Sequence, residues 1–139
     1  MLNEDTVEIF RNRKTGDFRI QPFARTKFSA QPFGNQTIVP GAEAEECLLP
    51  AVIKNLEMNS SQRYVQELIP RSSEQESRRS LREDQLIYVR RSSTIYRIIP
   101  FRRMGNSWGS IEELEVSVSE EEFLRRGWDL IKEIFDQTP

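Results

Sequence analysis

The chain contains no histidine and only one cysteine, Cys47. Without histidine there can be no His-assisted serine or cysteine nucleophile, no imidazole metal ligand and no imidazole general base. A single cysteine cannot close an internal disulfide, so nothing in the sequence calls for an oxidising compartment. Cys47 follows Glu45 and Glu46, and adjacent carboxylates disfavour a thiolate. It is expected to be a buried, inert helix residue, because free cysteine is among the most buried residue types. No apolar run approaches the ~20 residues of a membrane span. The N-terminus, MLNEDTVEIF, is acidic and lacks the apolar stretch of a signal peptide. Neither a phosphate-loop glycine pattern nor a Cys/His ligand pair is present. A cytoplasmic chain with no cofactor is expected, folded as a single domain over its 139 residues.

Charge is present but divided. Residues 62–103 hold ten arginines and five acidic residues, whereas residues 111–139 hold nine acidic and three basic ones, so the net −2 conceals a polar arrangement. In TVEIFRNRKTGDFRIQPFA, Val7 and Ile9 alternate with Glu8, and Phe18 and Ile20 alternate with Arg19. With Lys14–Asp17 as turn chemistry between them, the segment predicts a β-hairpin. An irregular connection follows, with a short strand at Thr37–Val39.

Residues 43–58 carry helical spacing through Cys47 or Leu48, Ala51 or Val52, and Leu56. Pro50 allows a helix that starts near Leu48 or a longer one that starts near Glu43 and accommodates it. The longer form is favoured, because Glu43, Glu45 and Glu46 suit a helix N-terminus. A second short helix is expected over 61–69. The polar segment 70–85 predicts a mobile loop or a loosely held helix.

LIYVRRSSTIYRIIPFRRM, 86–104, predicts two strands. MGNSWGS predicts a turn, and LEVSV a strand with Leu114, Val116 and Val118 on one side. Ser119 with Glu122 forms a capping box flanked by Val118 and Phe123, and an apolar face continues to Phe135, so a C-terminal helix is expected. The order of elements predicts an α+β fold: a mainly antiparallel sheet, built from the N-terminal hairpin and three later strands, with helices packed on one face.

Three groups of residues invite a function. Glu112, Glu113, Glu115, Glu120, Glu121 and Glu122 form an acidic run, extended along the helix by Asp129 and Glu133. Glutamates in a first helical turn complement the dipole and diverge in direction, so a partner-facing edge is preferred to a metal site. Trp108, between small residues, is either an exposed interface anchor or a ring folded over the core edge. The Arg/Tyr-rich strands at 86–103, with Arg90, Arg91, Arg97, Arg102 and Arg103 near Tyr88, Tyr96 and Phe101, offer an alternative as a nucleic-acid-binding module. An enzyme would need a Glu- or Tyr-based cleft whose carboxyl pKa is raised.

The stretch VPGAEAEECLLPAVIKNLEMNS, followed by a late strand and SVSEEEFLRRGWDLIKEIF, resembles the immunity proteins of bacterial contact-dependent growth inhibition systems. Leu48 to Leu56 correspond to the helix after the N-terminal hairpin, and Ser119 to Phe135 to the closing helix, together about half the chain. Leu49 stands where a glycine is often found, and Pro50 falls within the first helix. The resemblance implies a non-catalytic protein that binds a cognate toxin C-terminal domain, often a nuclease, and masks its active site. The residues expected to face that partner are Trp108, Glu112, Glu113, Glu115, Glu120, Glu121, Glu122, Asp129 and Glu133.

Overall fold

A computed structural model describes residues 4–25, 30–32, 35–61 and 74–139. Strands β1 (Glu4–Asn12) and β2 (Phe18–Arg25) form the expected hairpin. Its turn is built by Asn12, whose side-chain oxygen accepts from the Lys14 and Thr15 amides at 2.9 and 3.0 Å, and by Gly16, at φ +76°. Short strands β3 (Ala30–Pro32) and β4 (Thr37–Val39) follow, then a 3-10 turn at Gly41–Glu43 and helix α1 (Ala44–Ser61). The second half contains α2 (Glu74–Glu83), β5 (Asp84–Ser92), β6 (Ile95–Met104), β7 (Ser107–Ser110), a 3-10 turn at Glu112–Leu114, β8 (Val116–Ser119) and α3 (Glu120–Gln137).

All strand pairs are antiparallel, in the order β3-β2-β1-β5-β6-β7. β4 shares the outer edge of β2 with β3, and β8 shares the outer edge of β6 with β7. The fold is α+β with a mainly antiparallel sheet, and it has four later strands where three were expected. The extra strand is β7. The sequence MGNSWGS turns only at Gly105–Asn106, with Gly105 at φ +62°, and then runs back along β6.

α1 takes the longer of the two forms. Pro50 lies inside it and is exposed, so the Glu46 carbonyl that loses its amide partner is on the water side. The buried stripe is Ala44, Leu48, Val52, Asn55 and Leu56. Cys47 is exposed, which corrects the expectation of a buried thiol. It sits roughly 100° around the helix from that stripe, and the spacing that allowed either Cys47 or Leu48 is resolved in favour of Leu48. The helix expected over 61–69 falls almost wholly outside the described residues. Of the polar segment 70–85, residues 74–83 are helical.

α3 begins where its cap predicts. The Ser119 hydroxyl accepts from the Glu122 amide at 3.2 Å, while the Glu122 carboxylate pairs with Arg126 rather than reaching back to complete the box. Val118 and Phe123 are both buried. α1 and α3 pack on one face of the sheet. There Val7, Ile9, Phe18, Ile20, Ile87, Val89, Tyr96 and Ile98 meet Leu48, Val52, Phe123, Ile131 and Phe135 in one cluster. Tyr96 and Phe123 stack at 4.3 Å between centroids, fixing the start of α3. At the other end of the helix, the Gln85 amide donates to the carbonyls of Phe135 and Thr138 at 2.9 and 2.7 Å. Among the described residues no helix is long and apolar enough to cross a membrane.

The opposite face of the sheet is not the solvated face that alternation alone predicts. Phe10, Phe23, Leu86 and Ile99 are all buried there. Tyr88 bridges them, with Phe23 at 5.7 Å and Phe101 at 4.5 Å. At its end, Asp84 accepts from Arg19, from Ser80 and, at 3.4 Å, from Asn12.

Candidate functional site

The fold lays the acidic run along one border of the sheet. β6 is bordered by β8 over Ile95–Ile98 and by β7 over Phe101–Met104, with the Glu112–Leu114 turn between these two strands in sequence. Ser119 pairs with Ile95, and the next residues, Glu120–Glu122, open α3, so the helix N-terminus lies at one end of this border. Trp108 pairs with Arg103 at the other end and is half-buried. Arg103 and Ile95 are eight residues apart, or about 26 Å along a strand.

The carboxylates on this border are not equivalent. Glu115 accepts from Arg97 at 2.7 Å, and Arg97 also lies 3.6 Å from Glu4. Glu122 pairs with Arg126 at 3.2 Å. Glu112, Glu113, Glu120 and Glu121 are exposed and form no ion pair among the described residues. Asp129 and Glu133 are also exposed, but they lie further along α3, interleaved with Arg125, Arg126 and Lys132. The exposed glutamates without an ion pair are therefore two pairs, Glu112 and Glu113 in the 3-10 turn and Glu120 and Glu121 at the helix start, at opposite ends of β8 along the same border.

A cleft of about 400 Å³ opens beside this border, with Ile99 and Phe101 as apolar walls and Arg90, Arg97, Glu112 and Glu115 as its charged ones. The arginine strands do not offer a free cationic face. Arg91 donates twice to Asp5, Arg97 is committed to Glu115, and Arg90 lies over the Tyr88 ring at 5.5 Å. Arg102 and Arg103 are exposed but, as consecutive strand residues, point to opposite faces.

The notable titratable group that sequence reasoning did not single out is Glu8. It lies in the middle of the second face, directly across from Tyr88 on β5 and Gln21 on β2. Burial pushes its carboxyl up to about 7, against the opposing pull of Arg19. Tyr88 is pushed up to about 12, first by burial and then by the Glu8 charge, with Arg90 opposing. Glu8 does not line the cleft beside the acidic border. The signal in the sequence was the unbroken apolar runs Leu86–Val89 and Ile98–Phe101, the pattern of strands covered on both faces. Among the described residues no group of three or more acidic or cysteine side chains is placed to hold a metal ion.

No known protein family and no curated protein matches the chain in sequence. In structure it is similar to a protein of unknown function from Neisseria meningitidis. The TM-score is 0.70 at 14% identity, over 98% of this chain and 96% of that one. The likeness is one of fold.

Proposed function

We propose that this chain is a non-catalytic immunity protein that binds a cognate toxin domain, most simply a nuclease, and masks its active site or substrate surface. The observation that carries this reading is the unpaired acidic border. Glu112, Glu113, Glu120 and Glu121 come from two separate elements, lie along one edge of the sheet, and form no ion pair among the described residues. A nuclease needs a positive surface to hold phosphate, and an acidic edge complements it, speeding encounter and fixing orientation. The half-buried Trp108, at the far end of the same border, supplies an aromatic contact of the kind that dominates binding energy. The span between them suits an interface of ordinary size, ~800 Å² per partner.

The test is charge reversal. Replacing Glu112, Glu113, Glu120 and Glu121 by lysine is expected to weaken toxin binding at least 100-fold at low salt and to flatten the salt dependence of what remains. Lysines at positions 120 and 121 oppose the α3 dipole, so the thermal transition should fall modestly, and binding is compared at a temperature where both proteins are folded. Unchanged affinity would move the interface elsewhere. Salt-sensitive retention of single-stranded oligonucleotides by the unaltered chain, lost in Arg102→Glu, would favour the arginine strands as a nucleic-acid surface.

A further inference from the structure

A second cleft, of about 620 Å³, lies between the β1–β2 turn, Gly41–Ala42 and the Trp128–Lys132 side of α3, and shares no lining residue with the cleft beside the acidic border. Its charged walls are all cationic: Arg11, Arg13 and Lys132 line it, and no carboxylate does. In a chain of net charge −2 this is the reverse of the overall balance. Asp136, behind the wall, pairs with Arg11 at 3.0 Å and with Lys132 at 2.9 Å, and their hydrogen bonds hold its carboxyl below the usual range. Arg13 donates to the Pro139 oxygen at 2.7 Å, and the Asp17 carboxylate accepts from Gly41 at the floor, so three cations stand against the two carboxylates of Asp136 and Asp17 and leave an excess of one positive charge.

The cleft is built from fixed parts. Arg11 is held by the Gln85 side-chain oxygen at 2.8 Å and lies over the Phe135 ring at 4.9 Å. The floor is formed where Gly41 meets the hairpin turn. The Gly41 amide donates to Asp17 at 2.9 Å, and a Cβ at Gly41 would come 2.7 Å from the Gly16 carbonyl oxygen. Trp128 forms an aromatic wall, half-buried and edge-on to Phe18 at 6.0 Å. The volume lies in the range of small-molecule sites, and convergent polar groups beside an aromatic surface are their usual lining.

We propose that this cleft binds a small aromatic oxyanion, a flat ring joined to a phosphate or carboxylate, of the size of a mononucleotide. The ring lies against Trp128, and the oxyanion is held by Arg13 and Lys132 with Arg11 behind them, guanidinium groups being matched to two-oxygen acceptors. This site is independent of the acidic border.

The chain has two tryptophans, so Trp108→Phe leaves Trp128 as the only indole reporter. AMP, adenosine, inorganic phosphate and benzoate would be titrated against its fluorescence. The unaltered chain would be followed in parallel by calorimetry, in case that substitution disturbs the fold. AMP or benzoate is expected to bind saturably, with adenosine and phosphate each at least tenfold weaker than AMP. Arg13→Glu with Lys132→Glu, both exposed positions, should weaken AMP binding at least tenfold. Glu112→Lys should leave it unchanged. No saturable binding of any probe, phosphate alone binding as tightly as AMP, or binding undiminished in the double variant would each overturn the proposal.

Discussion

Phe123→Ala should lower the unfolding free energy by about 3–5 kcal/mol, the usual range for removing a fully buried aromatic ring. Phe123 is fully buried and stacks on Tyr96, itself 1% exposed, so the neighbours cannot collapse into the space without moving the sheet. The ring also clamps the first turn of α3. Losing it loosens Glu120 and Glu121 as well as the core. Against a typical domain stability of 5–15 kcal/mol, the variant should unfold at a clearly lower denaturant midpoint. A loss below 1 kcal/mol would mean that α3 is not docked through this contact.

Glu8→Gln should do the opposite, stabilising the protein in a way that depends on pH. Folding raises the Glu8 pKa from an ordinary 4.5 to about 7, so the native state favours the protonated carboxyl. The stability associated with that proton is fully present below about 4.5 and is lost as pH rises through about 7. At 1.36 kcal/mol per pKa unit, the loss is about 3 kcal/mol above neutrality. Glutamine cannot ionise, so the variant should gain up to that amount at pH 8 and almost nothing at pH 4. Urea titrations of both proteins at the two pH values measure this directly. A variant no more stable than its parent at pH 8 would contradict the burial of a charged Glu8.

The sequence disclosed the elements whose signals are local. The β1–β2 hairpin was legible because Lys14 to Asp17 is turn chemistry between two alternating runs. α3 was legible because Ser119, Val118 and Phe123 mark its start and an apolar stripe follows. The sheet edge was less legible. Trp108 stands in a glycine-rich stretch that reads as a turn throughout, whereas the turn is confined to Gly105–Asn106 and Trp108 pairs with Arg103 across it as the returning strand of a tight hairpin. Cys47 was misplaced because a helix with mixed residues at three-to-four spacing leaves the centre of its buried stripe open by one position.

The candidate acidic residues were all named from the sequence. Their division was not. Arg97 pairs with Glu115 across eighteen residues, and only the fold reveals that Glu112, Glu113, Glu120 and Glu121 stay unpaired among the described residues. Glu8 went unnoticed because alternation with Val7 and Ile9 gives it the pattern of a solvent-facing strand residue. The second face is covered, as Phe10 and Leu86 beside it show.

The most direct test of the proposed role is capture of a toxin domain. The tagged chain would be mixed with the C-terminal domain of whatever large secreted protein its neighbouring reading frame encodes, and both would be expressed together in cells. An immunity protein predicts a stoichiometric complex and survival of cells that the domain alone would kill, with both weakened by lysine at Glu112, Glu113, Glu120 and Glu121. Absence of a complex together with absence of rescue would contradict the proposed function.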